Sequence, residues 1–522
     1  MSNRSWKKVI LGSIFLVLSI FYTVIFFQHA AFGNEMIFNI AHIKSLTNIF
    51  VSPINFDYWN HSGGQVNLYS PWLTILPGIL FLNGNVAYGF SFLLTVITFL
   101  TLTSAYFYMN KFSKNTLESL LFSVIYTFSL NRFQQVFQDQ RLENYLVLIF
   151  LPMVYYGAFQ IFSGEFKHWL NLACGMSLIV WTAPYMALSV SLTLIPMAVL
   201  MLFSKVSHSW TYWGHLLINI GEVIGLSALM TVGFWGPLIE NQLQNKFVQN
   251  PVANLDYFKW FQNLNLSNVQ QYLLIAIAVL LLVLLIFIFF QNSFAYKLLM
   301  IEIIPLSIAM VVKFKITGID LSRLVLSLQS ILELFVIIIV TRIIIMLFQE
   351  APIIFRLVIV TATMIGLCFL VYAQANQIKP QQTLIASNKI NYSNVVTNYH
   401  DSAKSEHNHF SVNQRNAKVS FYTKNSDYWI QYYNPQAATM DLPIQNYSGY
   451  RVELNNESVK TKTSDHGTVM LQTNPGKNII EVHAYYTWIG IASLIINLMG
   501  FILLIYISIS KGYWINKKSS YI

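Results

Sequence analysis

The sequence predicts a membrane protein: an all-α helical bundle with a small C-terminal extracytoplasmic β-sandwich. Three observations carry this. First, 55% of the 522 residues are hydrophobic and only 10% are charged, whereas soluble domains carry about a quarter charged residues. Second, apolar runs long enough to cross roughly 30 Å of hydrocarbon recur along the chain. Third, the periodicity changes near the C-terminus, from long apolar runs to short β-prone runs punctuated by turn residues. The mean hydropathy of +0.53 and an aromatic content of 15% exclude disorder for most of the chain, because disordered segments are poor in such residues. The net charge of +10 comes with too low a charge density to support a nucleic-acid role.

The apolar runs fall at 9–28, 86–109, 116–131, 144–162, 168–182, 186–203, 214–236, 269–290, 297–313, 323–342, 354–373 and 487–510, which makes about twelve spans. The pair 168–182 and 186–203 also reads as one broken helix. The run from Val9 to Phe27 follows the basic stretch Met1 to Lys8. It is long enough to span and has no small-residue cleavage site, so it reads as an uncleaved first helix. Arg4, Lys7, Lys8, Lys111, Lys114, Lys167, Lys205, Lys297, Arg342, Arg356, Lys511, Lys517 and Lys518 fall on one side if both termini are cytoplasmic. The positive charge thus marks topology. Cys174 and Cys368 lie inside apolar runs and read as small buried hydrophobes.

Three outer segments are long: 28–85, 240–268 and 375–486. The organisation is therefore a transmembrane domain over 1–374 with a long first loop at 28–85, an extracytoplasmic β-rich domain over 375–486, and a last helix with a cytoplasmic tail over 487–522. Within the third segment, "RVELNNESVKTKTSDHGTVMLQTNPGKNIIEVHAYY" alternates strands with Asn-Asn, Asp-His-Gly and Pro-Gly turns.

The first loop opens with "FGNEMIFNIAHIKSL". Ile37, Phe38, Ile40, Ala41, Ile43 and Leu46 give it a helical apolar face, expected to lie in the lipid interface and to hold Glu35 at the membrane surface. Asp57, His61 and Gly63-Gly64 follow. The run "NLYSPWLTILPGILFL" is too short to span and is expected to dip into the outer leaflet or pack on the bundle.

The segment "GNEMIFNIAHIKSL … GGQVNLYSPWLTILPG" resembles the first outer loop of bacterial polyprenyl-phosphate-dependent glycosyltransferases of the GT-C fold, and is most similar to the YfhO-like membrane proteins of Gram-positive bacteria. "DQRLENYLVLIFLP", "FWGPLIENQ", "GIDLSRL" and the ending "YSGYRVELNNESV … PGKNIIEVHAYYTWIGIASLI" follow the same plan. They put Glu143, Pro237, Glu240 and Arg323 at matching places. The chain departs from the family pattern at Asn34, Asn39 and His42, where the family carries an acid, a His and an Arg.

The resemblance implies an integral-membrane enzyme of the plasma membrane. It would move a sugar from a polyprenyl-phosphate donor to a cell-envelope polymer, such as teichoic acid, or to a glycolipid. A base must take the proton of the attacking hydroxyl. Glu35 fits that role, with Asp57 and Glu143 as partners or as ligands of a divalent metal, which stays open. A cation must meet the charge growing on the leaving phosphate. Arg323, Lys313, Lys315, Arg141 and His42 fit there, and Arg offers the bidentate fork that suits phosphate. Glu35 and Glu143 equally suit the plain role of charges at helix N-termini, and Arg323 that of a snorkelling anchor. A reading of a different class stays open: a non-catalytic transporter or scaffold on the same fold, in which Glu302 and Glu333 carry protons or substrate. Glu222 is a third acid within an expected span. His400, Asp401, Glu406, His407 and His409 fit no common zinc spacing. The sequence contains no phosphate-cradling Gly-rich loop, Walker motif or Gly-x-Ser-x-Gly elbow.

Overall fold

The computed structural model describes residues 3–29, 33–59, 62–69, 71–82, 84–201, 210–245, 289, 292–311, 321–378, 409–465 and 467–519. Its helices are α1 (Asn3–His29), α2 (Asn34–Ser45), α3 (Trp72–Ile75), α4 (Val86–Ser113), α5 (Thr116–Thr127), α6 (Leu130–Phe133), α7 (Leu142–Leu146), α8 (Leu151–Phe162), α9 (Trp169–Thr182), α10 (Pro184–Met201), α11 (Trp210–Asn245), α12 (Phe294–Val311), α13 (Leu321–Leu347), α14 (Ile353–Ala375) and α15 (Trp488–Ser519). Seven described helices are long and apolar enough to cross a membrane, or eight if the pair Leu142–Ile149 and Leu151–Phe162, bent by 44°, is one span. The chain is a multi-pass membrane protein.

The run expected over 116–131 and the pair expected over 168–203 break for identifiable reasons. Helix α5 stops at Thr127 because the buried Arg132 guanidinium donates from Nη1 to the Thr127 carbonyl at 3.0 Å. Ser129 then caps α6, its Oγ accepting from the Arg132 amide at 3.3 Å. This satisfies carbonyl and amide groups that a helix end leaves unpaired. Between α9 and α10, Ala183 is extended, with φ −149° and ψ 90°. The following Pro184 excludes helical geometry from the residue before it and begins a helix itself. The 168–203 region is therefore two helices, and the 14-residue α9 is too short to cross alone. The run at 269–290 lies outside the described residues, apart from Phe289.

One end of the bundle gathers cations. Lys111 Nζ lies 5.7 Å from the Tyr156 ring centre, and that ring meets His168, beside Lys167, at 5.6 Å. Phe112 meets Tyr296, over which Arg342 sits at 4.9 Å. There the fully buried Glu118 accepts from Tyr296 Oη at 2.5 Å and from Arg342 Nη1 at 3.1 Å, while Arg342 Nε donates to Asn292 Oδ1 at 2.9 Å.

The opposite end carries the first loop and the β-domain. The loop is more buried than its sequence suggests. The face of α2 expected to lie in lipid is inside the protein: Met36, Ile40, Ala41 and Ile43 have no exposed surface. The run after it forms helical turns at Val66–Leu68, α3 and Leu76–Leu80, with Trp72 and Ile75 packed into the core. Trp59 stacks on Tyr69 at 5.3 Å and 12° and donates from Nε1 to Ser45 Oγ at 2.7 Å. A short hairpin, β1 (Ile54–Asn55) and β2 (Gly64–Gln65), crowns the loop.

The C-terminal domain is the expected sandwich. Its strands are β3 (Ser411–Val412), β4 (Arg415–Asn416), β5 (Ser420–Lys424), β6 (Asp427–Asn434), β7 (Ala438–Gln445), β8 (Tyr450–Leu454), β9 (Glu457–Ser458), β10 (Lys462–Thr463), β11 (Thr468–Thr473) and β12 (Gly476–Ala484). They form two five-stranded sheets, ordered β10-β11-β7-β3-β4 and β5-β6-β12-β8-β9, and every pairing is antiparallel. Asn455 and Asn456 take positive φ in the β8–β9 turn, and Gly476 does so at the head of β12, as their turn-forming residue types allow. Inward residues such as Ile430, Leu442, Val469 and Ile480 fill the core, together with Ile54, Phe56 and Leu68 of the first loop.

The two parts are clasped. Asp57 Oδ2 accepts from the Asn425 amide at 2.8 Å, Tyr486 Oη donates to the Ile49 carbonyl at 2.5 Å, and buried Glu240 accepts from Thr487 Oγ1 at 2.7 Å. Helices α11 and α15 then run side by side. A Cβ at Gly500 would meet the Leu229 carbonyl carbon at 2.9 Å and the Met230 nitrogen at 3.0 Å, whereas one at Gly366 would meet nothing within 4 Å. Gly500→Ala should therefore cost about 1–3 kcal/mol by forcing the backbones apart. Thermal melts of the detergent-purified chain should show a lower Tm for Gly500→Ala and an unchanged or higher one for Gly366→Ala. Equal Tm values would contradict the packing described.

Candidate functional site

On the β-domain end, three chain segments meet where α1 leaves the bundle. Beyond α6 the chain winds as a π-helix over Gln134–Asp139, a form that is rare and frequent at functional sites. It ends at Gln140, which adopts the left-handed conformation with φ 54°. That turn lets Gln140 face the start of the first loop. Its side-chain Oε1 accepts from the Gly33 amide at 2.9 Å, and its carbonyl accepts from Asn39 Nδ2 at 2.9 Å. A Cβ at Gly33 would lie 2.7 Å from Gln140 Oε1, so a side chain there would push the Gln140 amide from this position.

This corner brings several of the sequence candidates together. Glu35, in the first turn of α2, pairs with Arg141 Nη2 at 3.6 Å, with 42% and 32% of their side chains exposed. An ion pair that open contributes roughly 0–1 kcal/mol, so neither partner is committed to holding the fold. Glu143, half-buried in the first turn of α7, lies within electrostatic reach of Arg323, Glu35 and Arg141. Arg323 begins α13 exposed, its guanidinium 5.7 Å from the Tyr185 ring centre. Two acids and two arginines from three separated segments thus share one rim.

Asp57 and His42 are used differently. Asp57 is the clasp on Asn425, and the charges acting on Glu143 and Asp139 do not include it. His42 does not reach a phosphate site. It is fully buried, ringed by Phe38, Trp59 and Tyr69, with Nε2 against the Val66 carbonyl at 2.9 Å. Only a protonated Nε2 can donate to a carbonyl, and burial pushes the imidazole down to about 4, so His42 is neutral. Lys313 and Lys315 lie outside the described residues, as do His61, His400, Asp401, Glu406 and His407.

Sequence reasoning passed over four residues. Asp139 sits beside the corner. Burial pushes its carboxyl above the ordinary range, partly offset by Arg141, with the Glu35 charge raising it further. Gln140 and Tyr185 carry no signal in sequence, since their roles arise from distant partners. Arg132 directly follows the apolar run 116–131. It is fully buried, donates to Thr98 Oγ1 at 2.9 Å and lies 4.7 Å from the Tyr22 ring centre. Among the described residues, no three His, Cys, Asp or Glu side chains gather as a metal-holding group.

Inside the bundle, Glu333 accepts from Asn131 Nδ2 at 2.9 Å, and Glu302 is fully buried with neither oxygen bonded among the described residues. A cavity of about 40 Å³ lies among Tyr108, Phe122, Tyr155, Met197, Leu299 and Phe335, and neither acid lines it. Glu222 is exposed on α11. No protein-family model matches the sequence, and no curated protein matches it.

The state of His42 gives a pH prediction. Its folded value, about 4, lies below the unfolded value near 6.5. The unfolded chain therefore binds the proton first, and stability is lost as pH falls from about 6.5 toward 4. At pH 4.5 the loss should be roughly 2–3 kcal/mol. In melts from pH 7.5 to 4.5, His42→Gln, whose amide can still donate to Val66, should lack that component. An unchanged pH slope in the variant would contradict the buried neutral imidazole.

Proposed function

We propose that the chain is an integral-membrane glycosyltransferase of the GT-C type, similar in plan to the YfhO-like proteins, with about twelve spans in a bacterial plasma membrane. The cation-rich end would face the cytoplasm by the positive-inside bias, which puts the first loop and β-domain outside and both termini inside. The observation that supports this reading is the shared rim of Glu35, Glu143, Arg141 and Arg323. There Glu35 is weakly engaged by Arg141, and the Arg323 guanidinium comes within electrostatic reach of the neighbouring Glu143.

In this reading the donor's phosphate lies against Arg323 and Arg141, and its polyprenyl tail lies along the apolar helices. The acceptor hydroxyl of an envelope polymer or glycolipid attacks the anomeric carbon. Glu35 takes its proton as the new glycosidic bond forms. The bond between the anomeric carbon and the phosphate oxygen breaks, and its electron pair leaves with the lipid phosphate. The guanidinium groups meet that charge as it grows. Arg141 is suited to this because its contact with Glu35 is long and open, so the phosphate can take it over. Glu143 holds the arginines in place, and Asp57 acts only by fixing the β-domain.

Glu35→Gln keeps the shape of the side chain and removes the base. It should leave the unfolding free energy within about 1 kcal/mol of wild type, since an exposed pair contributes little. It should lower sugar incorporation into envelope polymer at least 100-fold, the usual size of a general-base contribution. Arg323→Lys should lower it less than Arg323→Ala. The assay compares the sugar content of purified envelope polymer from cells carrying each variant. Full incorporation by Glu35→Gln would remove Glu35 from the chemistry.

A further inference from the structure

The sheet β5-β6-β12-β8-β9 has one face in the sandwich core and one turned outward. The register fixes what the outward face displays. Tyr422 stands opposite Trp429, Trp429 opposite Glu481, and Glu481 opposite Glu453. This row reads aromatic, aromatic, acid, acid across four strands. Tyr422 and Trp429 are stacked, with ring centres 5.5 Å apart and planes at 26°. Two pairs along β6 from Trp429, Tyr433 stands opposite Lys477. Gln431 lies between them, level with Ser420 and Ile479. The exposure is high: 60% for Tyr422 and 70% for Tyr433. Trp429 and Tyr433 are four residues apart, roughly 13 Å along the strand, a reach that suits a short chain of sugars rather than one ring.

Beside the rings the polar groups are held in place. Asp427 Oδ1 accepts from His483 Nδ1 at 2.7 Å, and Glu481 Oε2 lies 3.4 Å from His483 Nε2. Glu453 Oε1 accepts from Arg451 Nε at 3.0 Å. Three acids (Asp427, Glu453, Glu481) face three cations (Lys424, Arg451, Lys477) on this surface, so it offers charged hydrogen-bonding groups with no net charge. Such a balance complements an uncharged polyol and gives no preference for a polyphosphate. Flat rings with a polar tip beside fixed acceptors match the two sides of a pyranose: its C–H face lies on a ring and its hydroxyl edge meets carboxylate and amide. An exposed aromatic cluster on a folded surface marks an interaction site.

We propose that this outward sheet face is a binding platform for a neutral hexopyranose chain, stacked on Tyr422, Trp429 and Tyr433 and hydrogen-bonded by Glu481 and Gln431. It stands independently of the glycosyltransferase proposal, since a scaffold could carry the same platform.

The test uses the full chain in lauryldimethylamine oxide, a detergent without a sugar headgroup. Saturation-transfer NMR is recorded with maltoheptaose, cellohexaose and chitohexaose. Transfer to at least one of the three is expected. It should fall at least tenfold in the Tyr422→Ala, Trp429→Ala double variant, and at least threefold in Glu481→Ala, which keeps the rings. It should be unchanged in Trp210→Ala, which removes an aromatic that is 92% exposed on α11. Absence of transfer to all three sugars, or undiminished transfer in the double variant, would overturn the proposal. So would a double variant that changes the oligomeric state while sugar transfer persists, because the platform would then be a protein interface.

Discussion

The arrangement at the β-domain end depends on Gln140. A single left-handed residue turns the chain so that one side chain and one carbonyl bind two points of the first loop, Gly33 and Asn39. Without that staple, Glu35 and Arg141 would be tethered only by an open ion pair, which contributes too little to fix their geometry. With it, the start of α2 is held against the 139–143 corner, and α13 brings Arg323 to the same rim. Backbone hydrogen bonding explains why the staple must be so specific. A buried loop has little water to satisfy its amides and carbonyls, so each needs a protein partner. Asn39 supplies one of those partners.

The second constraint is the anchoring of the β-domain. Its anchors among the described residues include Asp57, Glu240 and Tyr486, and the first loop contributes Ile54, Phe56 and Leu68 to its core. The first loop is therefore a joint between bundle and sandwich, with the candidate site on one side and the sandwich on the other. That connection gives a physical reason for a β-domain near the C-terminus to stay next to residues near the N-terminus.

Much of this was legible in the sequence, and the rest was not, for definable reasons. Long apolar runs report solvent class, so membrane character was plain. The Asn-Asn and Pro-Gly turns report local backbone geometry, so the sandwich was plain too. Charge was scarce enough that Glu35, Arg141, Glu143 and Arg323 stood out. An amphipathic pattern, however, says only that a face avoids water. It reads the same whether α2 packs on lipid or on protein, and here it packs on protein. His42 and Asp57 looked chemical because their residue types are reactive, yet burial neutralises one and a backbone amide engages the other. Partners about a hundred residues apart, such as Gln140 and Gly33, leave no trace in local periodicity. The stops at Thr127 and Ala183 hinged on a buried guanidinium and on the residue before a proline, and only the second of these was readable beforehand.

In the proposed function a lipid phosphate is held by Arg323 and Arg141 beside Glu35. The most direct measurement is a cryo-EM structure of the full chain in nanodiscs containing undecaprenyl phosphate. Phosphate density is expected within hydrogen-bonding distance of at least one of the two guanidinium groups, with the Glu35 carboxylate facing the open side. Phosphate density at the cation-rich end, or inside the bundle cavity beside Tyr155, would contradict it.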